Sequence, residues 1–80
     1  MELLESRKII LDGEEFELRL YGGDGTYKVI SYHGSCQVSP SYSVDFITNL
    51  DYFMQHRHSL TERLFDIAQS DLERGIYLRA

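Results

Sequence analysis

"RKIILDGEEFELRLYGGDGTYKVISYH", residues 7 to 33, alternates apolar and polar side chains and is broken twice, at Asp12-Gly13 and at Gly22-Gly23-Asp24-Gly25. A period of about two is that of a strand with one face turned inward, and both breaks are rich in residues that tolerate positive φ. The spacing predicts three antiparallel strands joined by tight turns, a β-meander. On the middle strand Phe16, Leu18 and Leu20 alternate with Glu15, Glu17, Arg19 and Tyr21, so one face of the sheet is apolar and the other charged. The apolar face requires a cover.

Two helices downstream are expected to supply it. Between residues 43 and 57, Phe46, Ile47, Leu50, Phe53 and Met54 fall on one helical stripe, with Asp45, Thr48, Asn49, Asp51 and Tyr52 opposite. "SLTE", Ser59 to Glu62, has the form of a capping box: the Ser59 hydroxyl accepts from the amide of residue 62, and the Glu62 carboxylate reaches back to the amide of Ser59. A second helix over residues 60–74 follows, with Leu60, Leu64, Phe65, Ile67, Ala68 and Leu72 on its apolar side. Arg74 suits the negative end of its dipole, and Gly75 suits a left-handed terminating residue.

The intervening "GSCQVSPSY", residues 34–42, reads as a crossover. Pro40 removes a ladder donor, so a strand around Gln37 and Val38 would be short or at an edge. The expectation is one α+β domain over residues 1–80, of order β-β-β-α-α. It holds an antiparallel three-stranded β-meander, four-stranded if Gln37 and Val38 contribute, covered on one face by two C-terminal α-helices. The expected core is Ile9, Leu11, Phe16, Leu18, Leu20, Val29, Phe46, Ile47, Leu50, Phe53, Leu60, Leu64, Ile67, Ala68 and Leu72. The closing "IYLRA" suits a docked tail, an added edge strand or an arm for a second subunit.

Eighty residues suffice for one core. An apolar fraction of 42% and a charged fraction of 26% are ordinary for a folded chain. Eight Lys and Arg against thirteen Asp and Glu leave a net charge of −5, which repels a polyanion, and His56-Arg57-His58 is the one dense basic cluster. No nucleic-acid partner is expected. One cysteine, Cys36, excludes an internal disulfide framework and points to a cytoplasmic protein. The longest apolar run, Ile9-Ile10-Leu11, is too short to span a membrane, and the acidic "MELLES" lacks the pattern of a secretory signal. No membrane partner is expected.

Gly22-Gly23-Asp24-Gly25-Thr26 resembles the phosphate-contacting loop of NAD kinases and diacylglycerol kinases. That resemblance implies backbone amides turned towards an anion, an arrangement in which the chain usually enters a helix next. Here "TYKVISYH" follows, with the β-branched and aromatic content of a strand, so the loop is expected to be a hairpin turn and no cofactor is assigned. A metal-binding reading rests on His33, Cys36 and a helix-link histidine, His56 or His58. Two residues apart, His56 and His58 point in different directions on a helix, and the competing expectation is exposed histidines and a buried thiol. No metal residue is assigned.

Catalysis would need a nucleophile beside a base, such as Cys36 with His33 or His56, or Ser59 with His58. Ser59 is better explained as a helix cap, and Glu14-Glu15 and Asp71-Glu73 fall at solvated positions. The chain is therefore expected not to be an enzyme, with no catalytic residues.

Six tyrosines and four phenylalanines favour contact instead. Tyr21 lies on the sheet face away from the helices, together with one of Tyr27 or Tyr32. Such a face stacks single-stranded nucleic acid in some modules, but its neighbours here include Glu15 and Glu17. The function expected is a small protein-interaction or adaptor module using Arg19, Tyr21, Tyr32 and Tyr77. Self-association as a homodimer is expected because the edges "KIIL" and "YKVISY" carry no guard.

Overall fold

The computed structural model describes residues 1–75. They form β1 (Glu2–Leu11), β2 (Glu14–Gly23), β3 (Thr26–His33), β4 (Cys36–Gln37), β5 (Tyr42–Asp45), α1 (Phe46–His56) and α2 (Leu60–Glu73). β1, β2 and β3 make the antiparallel meander that residues 7 to 33 predict, and two C-terminal helices follow, so the α+β class stands. Tyr77 and the rest of the closing segment lie outside the described residues.

Both meander turns depend on Asp-Gly pairs. Asp12 and Gly13 have φ of 52° and 80°, and Asp24 and Gly25 have φ of 52° and 75°. Two consecutive positive φ values define the type I′ turn, whose twist matches that of the flanking strands. Gly23 pairs directly with Thr26 across the second turn. The loop that resembles a phosphate cradle leads into a strand and turns the chain.

Three boundaries differ from the sequence reading. The sheet begins at Glu2 instead of residue 7. The 34–42 segment is no plain crossover, because it contains β4 and leads into β5; residues 43–45 belong to that strand and not to the first helix. β4 and β5 both pair with the free edge of β3, Tyr32 opposite Gln37 and Val29 opposite Tyr42. Between those pairs, Val38 to Ser41 face Ile30 and Ser31, so the strand bulges around Pro40.

The ladder survives the bulge through a side chain. Val38 N donates to Ser31 O at 2.9 Å, and Ser31 N donates to the Ser39 hydroxyl, also at 2.9 Å, which takes the place of a strand carbonyl. The "YKVISY" edge, expected to be bare, is thus closed by β4 and β5. The outer edge of β1 has no strand against it among the described residues.

Phe16, Leu18 and Leu20 of β2, Val29 of β3 and Val38 point to one side, and Leu64, Phe65, Ala68 and Leu72 of α2 pack on them. Leu18 is 1% exposed and Val29 fully buried. Ile9 and Leu11 pack at the margin of this core. Arg7 of β1 fastens the helix from the side: its guanidinium lies 4.0 Å from the centre of the Phe65 ring and donates to Glu62 at 2.6 Å. From the other side, the Tyr42 hydroxyl of β5 donates to Asp71 at 2.5 Å.

α1 does not share this core. Every one of its residues is exposed or half-buried, and Phe46, Ile47, Leu50 and Phe53, expected inside, are exposed. Ile67 of α2, also expected inside, is exposed as well, and Leu60 is half-buried. The cause in α1 is covalent. β5 passes into α1 with no loop: the Asp45 carboxylate caps the helix by accepting from Thr48 N at 2.6 Å, and Phe46 N donates to Gly25 O at 2.8 Å. A helix launched from an edge strand and pinned to the β2–β3 turn has no slack with which to swing beneath the sheet.

Candidate functional site

On the open face of the sheet, away from α2, register brings together residues that sequence spacing only grouped. Arg19 is opposite Ile30 and Glu17 opposite Tyr32, while Tyr21 is opposite Lys28. Tyr32, not Tyr27, shares the face of Tyr21. The Arg19 guanidinium lies 4.1 Å from the centre of the Tyr32 ring and is hydrogen-bonded to Glu17, and the two phenol oxygens are 3.5 Å apart.

These contacts perturb all three groups. The Tyr21 phenol and the Glu17 carboxylate raise the pKa of Arg19. The bond with Tyr32, followed by Arg19, lowers that of Tyr21, and Tyr32 is raised in return by the bond with Tyr21 and by burial. One phenol therefore ionises before the other, next to a fixed cation. Elsewhere on this face Lys8 lies 3.8 Å from Glu15, while Lys28, opposite Tyr21, makes no ion pair among the described residues. A phosphate backbone arriving here would meet Glu15 and Glu17 beside two of the cations, Lys8 and Arg19. The cluster stiffens the sheet as a cross-strand unit.

The metal-ligand candidates separate. His33 and Cys36 are opposite each other across the β3–β4 hairpin, but His33 packs its ring on Phe16, with centroids 4.9 Å apart. His56 instead stacks on Tyr52 at 4.4 Å. Among the described residues no three His, Cys, Asp or Glu side chains gather as a metal site would require. Cys36 is exposed, against the expectation of a buried thiol.

Ser59 caps α2, though not as half of a capping box. Its hydroxyl accepts from Thr61 N at 3.2 Å, while the Asn49 side-chain oxygen accepts from Leu60 N at 2.6 Å, and Glu62 turns away to Arg7. The open depression on α2, lined by Arg63, Asp66, Ile67, Ser70, Asp71 and Arg74, contains no nucleophile beside a histidine.

What the sequence reading missed is the outward face of α1. Asn49 and Tyr52, expected to face solvent, turn inward, Asn49 to hold the start of α2. The opposite side carries Ile47 at 75% exposed, Met54 at 69% and Leu50 at 57%, flanked by Phe46 and Phe53. Phe53 and Met54 form a small hollow with Arg57. At the other end Phe46 packs on Tyr27, with ring centroids 4.4 Å apart, and Tyr27 and Leu4 meet at Gly22. Single exposed apolar residues are normal on a protein surface; five on one helix face form a contiguous apolar patch.

Available sheet area was the signal that would have found it. The inward face of the sheet offers Phe16, Leu18, Leu20 and Val29 as its buried centre, with Ile9 and Leu11 at the margin. That is a footprint for one helix about 10 Å wide, while the sequence proposes two amphipathic ones.

No helix among the described residues is long and apolar enough to cross a membrane. No protein-family model, no curated protein and no solved structure matches this chain.

Proposed function

We propose that this chain is a non-enzymatic protein-interaction module that self-associates through the apolar face of α1. The observation that carries the reading is the outward stripe of Phe46, Ile47, Leu50, Phe53 and Met54, exposed on a helix that turns Asn49 and Tyr52 inward instead. Water meets on this helix the side chains that an amphipathic helix usually hides, and covering them is favourable by about 25 cal/mol per Å² of apolar surface. A cytoplasmic setting is proposed on the exposed thiol of Cys36, which a reducing compartment keeps free.

Sedimentation equilibrium across the micromolar range tests the reading. The expected result is a mass that rises above the 9.3 kDa of one chain with concentration, and a Leu50→Glu variant that stays at one-chain mass with its circular dichroism unchanged. A parent chain that remains monomeric throughout, or a Leu50→Glu variant that associates like the parent, overturns it.

A further inference from the structure

The stripe on α1 reads alike in both directions from Leu50: Phe46 and Ile47 precede it at the same separations at which Met54 and Phe53 follow it. A two-fold contact makes this demand, because residue i of one copy meets residue j of the other while j meets i. Placed antiparallel about an axis at Leu50, two α1 helices set Ile47 against Phe53 of the second copy and Phe46 against Met54, so each apolar side chain finds an apolar partner.

Charge selects the same orientation. Asp45 stands at the N-terminal end of the stripe, while His56, Arg57 and His58 stand at its C-terminal end. Arg57 borders the hollow formed by Phe53 and Met54 and makes no ion pair among the described residues. It also ends α1 in the left-handed conformation, φ 62°, where glycine is the usual residue. A parallel pair would place Arg57 against Arg57 and Asp45 against Asp45. An antiparallel pair brings the basic end of each helix to the acidic end of the other and sets the two helix dipoles in opposition, both favourable.

Size sets the strength. Eleven residues make a helix about 16 Å long, and its face alone falls short of the roughly 800 Å² per partner of a standard interface. The apolar surface continues from Phe46 over Tyr27 to Leu4, which enlarges the contact where Met54 of the second copy would arrive. The resulting dimer is reversible and weak.

We infer that the partner of the α1 face is a second copy of this chain, with the two α1 helices antiparallel about a two-fold axis at Leu50 and Arg57 of each copy beside Asp45 of the other. This rests on the reading of the α1 face as a self-association surface, and disulfide trapping separates the two claims. With Cys36 replaced by Ser, chains carrying Ile47→Cys and chains carrying Phe53→Cys are oxidised separately and as an equal mixture.

The expected result is that the mixture yields the cross-linked heterodimer in several-fold excess over either self-linked product. Arg57→Glu should weaken association about tenfold in sedimentation without loss of helical signal, as expected for reversing a favourable charge contact. A Leu50→Glu-sensitive dimer whose Ile47→Cys chains link mainly to themselves overturns the antiparallel arrangement and leaves the α1 surface standing. A chain that is monomeric under all these conditions overturns both.

Discussion

Ser39 shows how far a single side chain can carry the backbone. Pro40 cannot donate to a ladder, and the bulge around it would leave Ser31 N buried without an acceptor had the Ser39 hydroxyl not taken that role. Tyr42, just beyond the bulge, ties β5 to α2 through Asp71, and burial followed by that bond pushes its phenol up to about 12. An unfolded tyrosine titrates near 10. Below that both states hold the proton and the contribution to stability is complete; between about 10 and about 12 the unfolded chain releases it first, and stability falls as pH rises. Urea midpoints measured from pH of about 9 to about 11.5 should therefore decline, and Tyr42→Phe should flatten the decline relative to the parent, the other tyrosines being common to both. Equal slopes would refute the assignment.

The two helices look alike as sequence and differ as elements. α2 reaches the sheet after a link that lets it turn, and it buries Leu64, Phe65, Ala68 and Leu72. α1 is continuous with an edge strand and buries none of its stripe. Phe65→Ala should therefore cost about 3–5 kcal/mol, the range for deleting a buried ring. Ile47→Ala should change monomer stability by less than about 0.5 kcal/mol, as for an exposed position. Urea unfolding of both variants at dilution below the onset of self-association measures this contrast. Comparable losses would mean that α1 packs as α2 does.

At the scale of the whole molecule, one helix layer on the sheet leaves apolar surface on α1 that the described residues do not cover. Binding that occurs only in the folded state raises apparent stability with concentration. The melting temperature of the parent should climb as the protein is concentrated, while that of Leu50→Glu should not move. A melting temperature independent of concentration in the parent would count against self-association.

Local chemistry decided the meander, and it was legible residue by residue. Asp12-Gly13 and Asp24-Gly25 specify type I′ turns because their own φ preferences do so, and the alternation of Phe16, Leu18 and Leu20 assigns the buried face because strand side chains alternate by covalent geometry. Ser59 as a cap and Gly75 as the left-handed terminator of α2, with φ of 74°, follow from equally local rules. The closing of the β3 edge was not legible, since it depends on a serine hydroxyl standing in for a carbonyl across a bulge. Nor was the fate of the α1 stripe. Periodicity tells that Phe46, Ile47, Leu50, Phe53 and Met54 share a face, but which way that face turns is decided by the point where the helix leaves the sheet, and the pairing of β5 with β3 determines that point only once the tertiary structure has formed.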